Sequence, residues 1–307
     1  MTAPSALSIA LALSALAGQE PPRFSSGVDN VYIDAFVNRK GQPVLGLTAE
    51  NFDVRDNGVP QDVRLVSLDV VPVEVLLVFD TSSSVAGEAL GHLRAAGHAV
   101  LDGLRPGERA ALVTFNQTVV IRVPPTDDLV RVRRELDRLR AEGYTALYDA
   151  AYVGFALPGR GARSMIALFS DGEDTRSWLE ATEVHAVAAR SDVLLQAVGV
   201  HDTMPVVVLG RNQTLRSNPS IQRVPSPRAD ELRRLAESTG GRFWKAEKTE
   251  RLKDTFLRIL GEMRTRYLLT FQPTGVERAG EHRLEVRLKG AKGQVRSRSR
   301  YIVGPSP

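Results

Sequence analysis

The chain has 307 residues, of which 43% are hydrophobic and 25% are charged, a composition typical of a globular protein with room for more than one core. Its 40 basic and 36 acidic residues give a formal net charge of +4, an excess too small to recruit a nucleic acid by itself, and we expect no nucleic-acid partner. The absence of cysteine excludes disulfide bonds, thiolate metal sites and cysteine nucleophiles.

The first residues have the pattern of an export signal. Residues 1–19 carry no charged side chain, contain an apolar core from Ala6 to Leu13, and include the tripeptide Ala15-Leu16-Ala17, of the kind that signal peptidases cut after. The apolar run is shorter than the roughly 20 residues that span a bilayer. We therefore predict a signal peptide over residues 1–17 and an extracytoplasmic mature chain without a transmembrane segment, either secreted, periplasmic or at the cell surface. A misassigned start or a disordered tail is the alternative.

Residues 26–70 are expected to form a small β unit. Short strand-like segments alternate there with Gly- and Pro-containing turns, and Asp56-Asn57-Gly58 between two of them is a good hairpin signal. Three more strand candidates, at residues 266–272, 282–288 and 295–303, close the chain. Neither flank has enough strands to bury a core alone, so we predict that residues 26–70 and 266–303 pair into one β-sandwich.

Between these flanks, residues 73–263 alternate strands with amphipathic helices, a pattern that predicts βαβ units and a largely parallel sheet. The predicted strands are 73–79, 109–115, 118–123, 164–169 and 193–200, the third of them as a short antiparallel partner. The predicted helices are 90–104, 129–139, 146–157, 178–190, 230–238 and 252–263. Residues 201–229 show no clear periodicity, which indicates a functional or disordered connection.

Side chains that carry oxygen atoms occur at three places, two of them directly after predicted strands and one in a loop before a predicted helix. Asp80, Ser82 and Ser84 come directly after the first strand, Thr145 lies in a loop that opens a helix, and Asp171 follows a later strand. Ligands of open parallel sheets sit beyond the carboxyl ends of the strands, and alternate residues of an extended loop point the same way. Carboxylates and hydroxyls without His or Cys suit a hard cation rather than zinc.

These motifs, D-x-S-x-S, G-x-T-A-L-Y-D and S-D-G in this order, resemble the metal-ion-dependent adhesion site of the von Willebrand factor A (VWFA) domain. The resemblance covers about Val73 to Met263 and implies a Rossmann-like, doubly wound α/β fold inserted between the β segments. The flanking stretches GLTAENFDVRDNGVPQ and YLLTFQP are also similar to those of bacterial secreted VWFA-related proteins.

The resemblance implies a set of metal ligands: Asp80, Ser82, Ser84, Thr145 and Asp171. The serines would bind through their hydroxyls, and the other three directly or through water. Asp149 and Asp174 would stand behind these ligands. The implied ion is Mg²⁺, with Mn²⁺ or Ca²⁺ as alternatives, and an exposed Asp or Glu of a protein partner would complete its coordination.

Simpler interpretations exist for each motif alone. Asp80 and Ser84 could cap a helix, Thr145 could cap the helix after it, and Asp171-Gly172 could be a turn. Taken together, these simpler interpretations are weaker, because capping does not explain why three motifs meet at one edge of the sheet.

The leading functional hypothesis is an exported, non-enzymatic, adhesion-type module that binds a protein through the cation. The alternatives are a metal-dependent hydrolase, for which Glu173 is a nearby acid, and an envelope scaffold with a vestigial site. The five histidines have no ligand spacing and are interpreted as surface or helix-face residues, and Trp178 and Trp244 as packing residues.

Overall fold

The computed structural model describes residues 30–66, 71–158, 163–170, 174–200, 203–208, 220–225, 227–277 and 279–304. The predicted signal peptide, residues 1–17, lies outside this range. Among the described residues, no helix has both the length and the apolar character needed to cross a membrane.

Short strands dominate the first part of the chain. They are β1 (Val31–Arg39), β2 (Gln42–Pro43), β3 (Phe52–Asp56), β4 (Val59–Gln61) and β5 (Arg64–Val66). The predicted hairpin is confirmed, because β3 and β4 pair antiparallel with Asp56 opposite Val59. Asn57 and Gly58 between them both have positive φ, 48° and 82°, as a tight two-residue hairpin turn requires.

The middle of the chain alternates strands and helices, as predicted. The strands are β6 (Val73–Asp80), β7 (Arg109–Phe115), β8 (Val119–Thr126), β9 (Arg163–Ser170), β10 (Leu194–Gly199), β11 (Thr203–Val208), β12 (Ser220–Pro225) and β13 (Arg242–Lys245). The helices are α1 (Glu88–Gly103), α2 (Leu129–Asp137), α3 (Leu147–Ala156), α4 (Ala181–Arg190), α5 (Pro227–Ser238) and α6 (Leu252–Arg264).

The central sheet has the order β13-β10-β9-β6-β7-β8 and is parallel except for the antiparallel pair β7–β8. Strand β6 is buried along its whole length, and its alternate residues belong to two different cores. Helices α1, α2 and α6 contribute to the core that contains Leu77, and α3, α4 and α5 to the core that contains Val78. The predicted doubly wound α/β fold is therefore confirmed.

In the described part of the chain after α6, the strands are β14 (Tyr267–Phe271), β15 (Gly280–Leu288), β16 (Gln294–Arg296) and β17 (Arg300–Val303). One sheet has the order β16-β1-β14-β5, with β2 also paired to β1, and a second has the order β17-β15-β3-β4. Both sheets contribute to one core, which includes Ile33 and Leu269 from the first and Val54 and Leu284 from the second. Each sheet thus combines strands from before and after the α/β region, as a β-sandwich built from the two flanks requires.

The structure differs from the sequence analysis in three local respects. The described parts of 201–229, where the sequence shows no clear periodicity, include β11 and β12, which pair antiparallel with Thr203 opposite Pro225. Residues 295–303 form two strands, β16 and β17, rather than one. Helix α4 begins only at Ala181, because Glu180 forms a capping box with Glu183 there.

The interpretation of the histidines is wrong for His282, which is buried in the β-sandwich. Its Nδ1 lies 2.9 Å from Oδ1 of the buried Asp56, and the Tyr301 hydroxyl donates to Asp56 Oδ2 at 2.6 Å. Burial and the bond to Asp56 raise the pKa of Tyr301. Asp56, Tyr301 and the Nδ1 atom of His282 thus pair with one another inside the core, as buried polar groups usually do, whereas the buried His282 Nε2 has no hydrogen-bond partner among the described residues.

Candidate metal centre

Two neighbouring parallel strands bring a carboxylate and a hydroxyl together at the carboxyl edge of the sheet. Strands β6 and β9 pair with Phe79 opposite Phe169, and the next residues are Asp80 and Ser170. Asp80 is fully buried, and its Oδ2 accepts a hydrogen bond from Ser170 Oγ at 2.7 Å. Its Oδ1 accepts from the backbone N–H of Ser82 at 2.8 Å. These bonds fix the Asp80 carboxylate at the edge of the sheet.

The two predicted serine ligands lie side by side just beyond this carboxylate. Ser82 precedes a short 3₁₀ turn, Ser83–Val85, and the hydroxyl oxygens of Ser82 and Ser84 are 3.0 Å apart. That distance permits a hydrogen bond between them. It also equals the separation of neighbouring ligands around an octahedral Mg²⁺, which is about 3.0 Å for metal–oxygen bonds of about 2.1 Å. The hydroxyl pair therefore fits the coordination geometry of a hard cation.

A second loop is hydrogen-bonded to this first one. The backbone N–H of Glu142 donates to Thr81 O at 2.8 Å, and that of Ser83 donates to Gly143 O at 3.0 Å. Gly143 has a φ of 80°, a conformation that favours glycine, and a Cβ on it would also displace the Gln117 side chain, whose Oε1 would lie 1.6 Å away. Thr145, two residues further on, is buried. The predicted second and first motifs thus lie in adjoining loops.

The segment after β9 reaches the same second loop. Thr145 O accepts from the backbone N–H groups of Thr175 and Arg176 at 2.9 and 3.0 Å, and Thr145 N donates to Thr175 Oγ1 at 3.2 Å. All three predicted segments therefore meet at this edge. Asp171 itself lies outside the described residues.

Asp149 and Asp174, predicted to stand behind the ligands, connect α3 to the segment after β9. Asp174 Oδ1 accepts from Leu147 N at 2.8 Å and so caps the first turn of α3. Asp149 Oδ1, within that first turn, accepts in return from Trp178 N at 3.1 Å and Leu179 N at 3.0 Å. The two carboxylates hold the helix start and the neighbouring segment together.

The described residues contain no group of three or more His, Cys, Asp or Glu side chains that could hold a metal. The predicted ligand set is of a different kind, because it combines three hydroxyls with the carboxylates of Asp80 and Asp171. Such an all-oxygen set fits Mg²⁺, Mn²⁺ or Ca²⁺ in its donor chemistry.

Exposed aromatic and cationic side chains occur on the second and third segments of this edge. Trp178 is 93% exposed and Tyr144 58% exposed. The Arg176 guanidinium lies over the Tyr144 ring, with its carbon 4.8 Å from the ring centroid. The interpretation of Trp178 as a packing residue is wrong, because bonds to Asp149 hold only its backbone. The interpretation of Trp244 is confirmed, since it is buried.

Ser170 and the exposed Trp178 are site features that the sequence analysis did not assign. Ser170 stands in the S-D-G motif, but its contact depends on the register of β6 against β9. No local pattern distinguishes an exposed tryptophan from a buried one here.

Comparison with known proteins agrees with this fold. Residues 75–173 match the family model of the von Willebrand factor type A domain. The chain is 28% identical over 232 residues to UPF0353 protein from Mycolicibacterium vanbaalenii, which covers 70% of this chain and 67% of that protein. It is also 28% identical over 221 residues to UPF0353 protein from Mycolicibacterium paratuberculosis, covering 67% of this chain and 64% of the relative. The matches thus span about two thirds of these relatives.

Two solved structures show the same architecture. A von Willebrand factor type A protein from Catenulispora acidiphila aligns with a TM-score of 0.50 and 13% identity, covering 87% of this chain and 75% of that one. Proximal thread matrix protein 1 of the mussel byssus aligns with a TM-score of 0.51 and 14% identity, covering 67% and 49%. At these identities the structures show the fold alone, which is that of a von Willebrand factor type A (VWA) domain.

Proposed function

We propose that the protein is a VWA-type binding module that acts by recognition rather than catalysis. It would hold a divalent cation through Asp80, Ser82, Ser84, Thr145 and Asp171, and use it to bind an exposed Asp or Glu of a partner protein. Mg²⁺ is the proposed ion, with Mn²⁺ and Ca²⁺ as alternatives. The observation that carries this proposal is the hydroxyl pair of Ser82 and Ser84, 3.0 Å apart beside the buried, hydrogen-bonded Asp80 carboxylate.

The chemistry of the donors favours capture of an outside carboxylate. The three hydroxyl ligands are neutral, and when Asp80 and Asp171 act through bound water, the cation keeps most of its positive charge for an outside ligand. A divalent ion and a carboxylate at about 4 Å attract by roughly 8 kcal/mol at an effective dielectric constant near 20, before desolvation. When bound, the ion would supply this electrostatic anchor, while the chain's own loops determine its position.

The exposed side chains of the same edge support a protein partner. Trp, Tyr and Arg are the residue types enriched at energetically important positions of protein interfaces. Trp178, Tyr144 and Arg176 offer these types on segments that adjoin the candidate ligands. A partner that places an acidic residue on the ion could therefore cover Trp178 as well.

We also propose the location and the organisation of the chain. Residues 1–17 would direct the protein out of the cytoplasm, which is compatible with a chain that has no cysteine. A VWA domain over residues 73–263 would be inserted in a β-sandwich unit formed by residues 26–70 and 266–303. The pairing of β1 with β14 and of β3 with β15 supports this division.

Calorimetric titration with Mg²⁺ and Mn²⁺ tests the metal site. Asp80→Asn keeps the side-chain shape but removes the charge, so we expect its metal affinity to fall at least tenfold, since charge-assisted contacts are worth about 1.5–3 kcal/mol. Asp102→Asn, which changes an exposed carboxylate on α1, is the matched control and should bind normally. Equal affinity of the Asp80 variant and the parent protein would refute the ligand assignment.

Capture of envelope proteins from the source organism, with and without a chelator, tests the recognition role. We expect chelation and Asp80→Asn each to abolish retention of the same protein, and replacement of that protein's contacting Asp or Glu by its amide to do likewise. Trp178→Ala should weaken retention, whereas Tyr32→Ala, which removes a half-exposed aromatic of the β-sandwich, should not. Retention that survives chelation would contradict the proposed mechanism.

A further inference from the structure

A second concave site lies between the β-sandwich and the α/β region. The cavity has a volume of about 570 Å³, within the range of pockets that bind small molecules, roughly 300–1,000 Å³. Both regions contribute polar or aromatic lining residues: Asn38, Gln294 and Arg296 from the sandwich, and Arg242, Trp244 and Arg258 from the α/β region.

This cavity is separate from the candidate metal centre. Arg242 is the first residue of β13, which runs parallel to β10 in the central sheet. It therefore lies at the amino edge of that sheet, whereas Asp80 ends β6 at the carboxyl edge. A ligand in the cavity would bind independently of a cation at the other edge.

The charged groups that line the cavity are unbalanced. Among the described residues, they comprise three arginines and one acid, Glu262. Glu262 already has two arginine partners, because its Oε1 accepts hydrogen bonds from Arg296 and, at 3.2 Å, from Arg266, which is fully buried. Within the described residues, no carboxylate lies within ion-pair distance of Arg258. The described part of the lining therefore carries an excess of two positive charges.

Two of these guanidinium groups also have unused donors. The Nε atoms of Arg242 and Arg296 are buried and have no hydrogen-bond partner among the described residues. The Arg242 Nε is 3.8 Å from Glu262 Oε2, which is too long for a hydrogen bond. Burial, together with the positive charges of Arg296 and Arg258, lowers the pKa of Arg242 despite the opposing effect of Glu262. An anion in the cavity would relieve the repulsion between these positive charges.

An aromatic platform holds two of the arginines in place. The Arg242 guanidinium carbon lies 3.4 Å from the Trp244 ring centroid, and that of Arg258 lies 5.3 Å from it. Trp244 is itself fixed, since its Nε1 donates to Gln196 Oε1 at 2.7 Å. Planar guanidinium groups held in this way are suited to two-pronged binding of phosphate or carboxylate oxygens.

We propose that this cavity is a binding site for a small dianion, of the phosphate monoester or dicarboxylate class, held by Arg242, Arg258 and Arg296. The excess of two positive charges matches the charge of such a ligand. Asn38 and Gln294 supply amide groups that can contact its uncharged part.

Calorimetry with inorganic phosphate and with succinate tests the site and distinguishes the two ligand classes. Titrations at about 150 mM salt, where the Debye length is about 8 Å, suppress unspecific attraction to a basic surface. We expect the parent protein to bind at least one probe with a Kd in the millimolar range or tighter, and bound ligand to raise the melting temperature. Failure of both probes to bind would overturn the proposal.

Arg258→Gln is the informative variant, because Arg258 is exposed and its replacement should leave the fold intact. We expect it to weaken binding of the preferred probe about tenfold, the effect of one charge-assisted contact. Arg251→Gln, which removes an exposed arginine just before α6 and outside the cavity, is the matched control. If both substitutions weakened binding of the probe equally, the binding would reflect general attraction to positive charge, and the proposed site would be refuted. Addition of a chelator should change neither result, which keeps this test distinct from that of the metal centre.

Discussion

At the scale of single residues, the Asp80 carboxylate depends on its neighbours for its orientation. Ser170 Oγ donates to one oxygen and Ser82 N to the other, at 2.7 and 2.8 Å. Groups that orient a metal ligand in this way typically change metal affinity 10- to 100-fold when they are removed. Ser170 should therefore affect cation binding even where it does not touch the ion.

Ser170→Ala should lower the affinity for Mg²⁺ or Mn²⁺ by about tenfold or more, because the Asp80 carboxylate loses a hydrogen bond that holds it. The free energy of unfolding should fall by only about 1 kcal/mol, the usual contribution of one hydrogen bond. Titration calorimetry and urea unfolding measure the two quantities. Ser164→Ala, at the other end of β9, is the control, since its hydroxyl contacts Glu74 at 3.4 Å instead. An unchanged metal affinity in the Ser170 variant would contradict the orienting role.

At the scale of elements, the candidate site is assembled where α3 meets the segment after β9. Asp149 in the first turn of α3 accepts from Trp178 N and Leu179 N. Earlier in the same segment, Thr175 N and Arg176 N donate to Thr145 O. Contacts at the helix start therefore also determine where the Thr145 loop lies.

Asp149→Ala should remove the acceptor that ties this segment to α3. We expect a loss of about 1 kcal/mol in the free energy of unfolding, as for a lost helix cap, and faster hydrogen exchange at the Thr175 and Arg176 amides. Asp128→Ala removes the cap of α2, where Asp128 Oδ1 accepts from Arg131 N at 3.1 Å, and provides a matched control. Asp128→Ala should lower the free energy of unfolding by a similar amount without changing hydrogen exchange at the Thr175 and Arg176 amides. Unchanged exchange in the Asp149 variant would show that its bonds do not restrain the Thr145 loop.

The strands and helices that can be predicted from the sequence are those whose apolar residues follow a clear local pattern. Strand β6 is apolar throughout because helices cover both faces of the sheet, and such a run is readable from the sequence. Strands β11 and β12 were missed because Pro205 and mixed polar residues interrupt the pattern, and their pairing joins segments separated along the chain.

The candidate site was predictable in its chemistry but not in its contacts. The hydroxyl and carboxylate residues stand in recognisable motifs. The bond between Ser170 and Asp80, by contrast, joins residues 90 positions apart, and that between His282 and Asp56 joins residues 226 positions apart. Local sequence patterns do not predict these two contacts, because the contacts depend on the register of the paired strands.

At the scale of the whole molecule, a buried network of charges connects the β-sandwich to the α/β region. Asp34 on β1 accepts from Arg163 Nε at 2.6 Å, at the start of β9. Arg266, which is fully buried between α6 and β14, donates to Asp34 Oδ1 and to Gly240 O, each at 2.8 Å. The Asp34 carboxylate thus contacts two arginines that have little access to water, and one of them, Arg266, also pairs with Glu262.

Asp34→Asn should strongly destabilise the fold, because Arg163 would keep its charge and lose its carboxylate partner, and Arg266 would keep only its pair with Glu262. Breaking a buried ion pair from one side costs about 3–5 kcal/mol. Urea unfolding at neutral pH measures the loss. Asp53→Asn, in a half-exposed pair with Arg55 on β3, should change the free energy of unfolding by less than about 0.5 kcal/mol. Similar effects of the two substitutions would mean that the Asp34 network contributes no more than a surface pair.

The same network predicts how stability depends on pH. Burial alone would raise the pKa of Asp34, but the charges and hydrogen bonds of Arg163 and Arg266 outweigh it and hold that pKa below its ordinary value of 3.8. A carboxyl group whose pKa is lower in the folded state stabilises the fold fully above its unfolded pKa, and loses this contribution as the pH falls through the folded value. The difference in unfolding free energy between the parent protein and Asp34→Asn should therefore be constant above about pH 5 and narrow below about pH 4. Urea unfolding of both proteins over this range isolates Asp34, because the other carboxyl groups are common to both. A difference that stays constant in acid would show that the folded protein does not lower the pKa of Asp34.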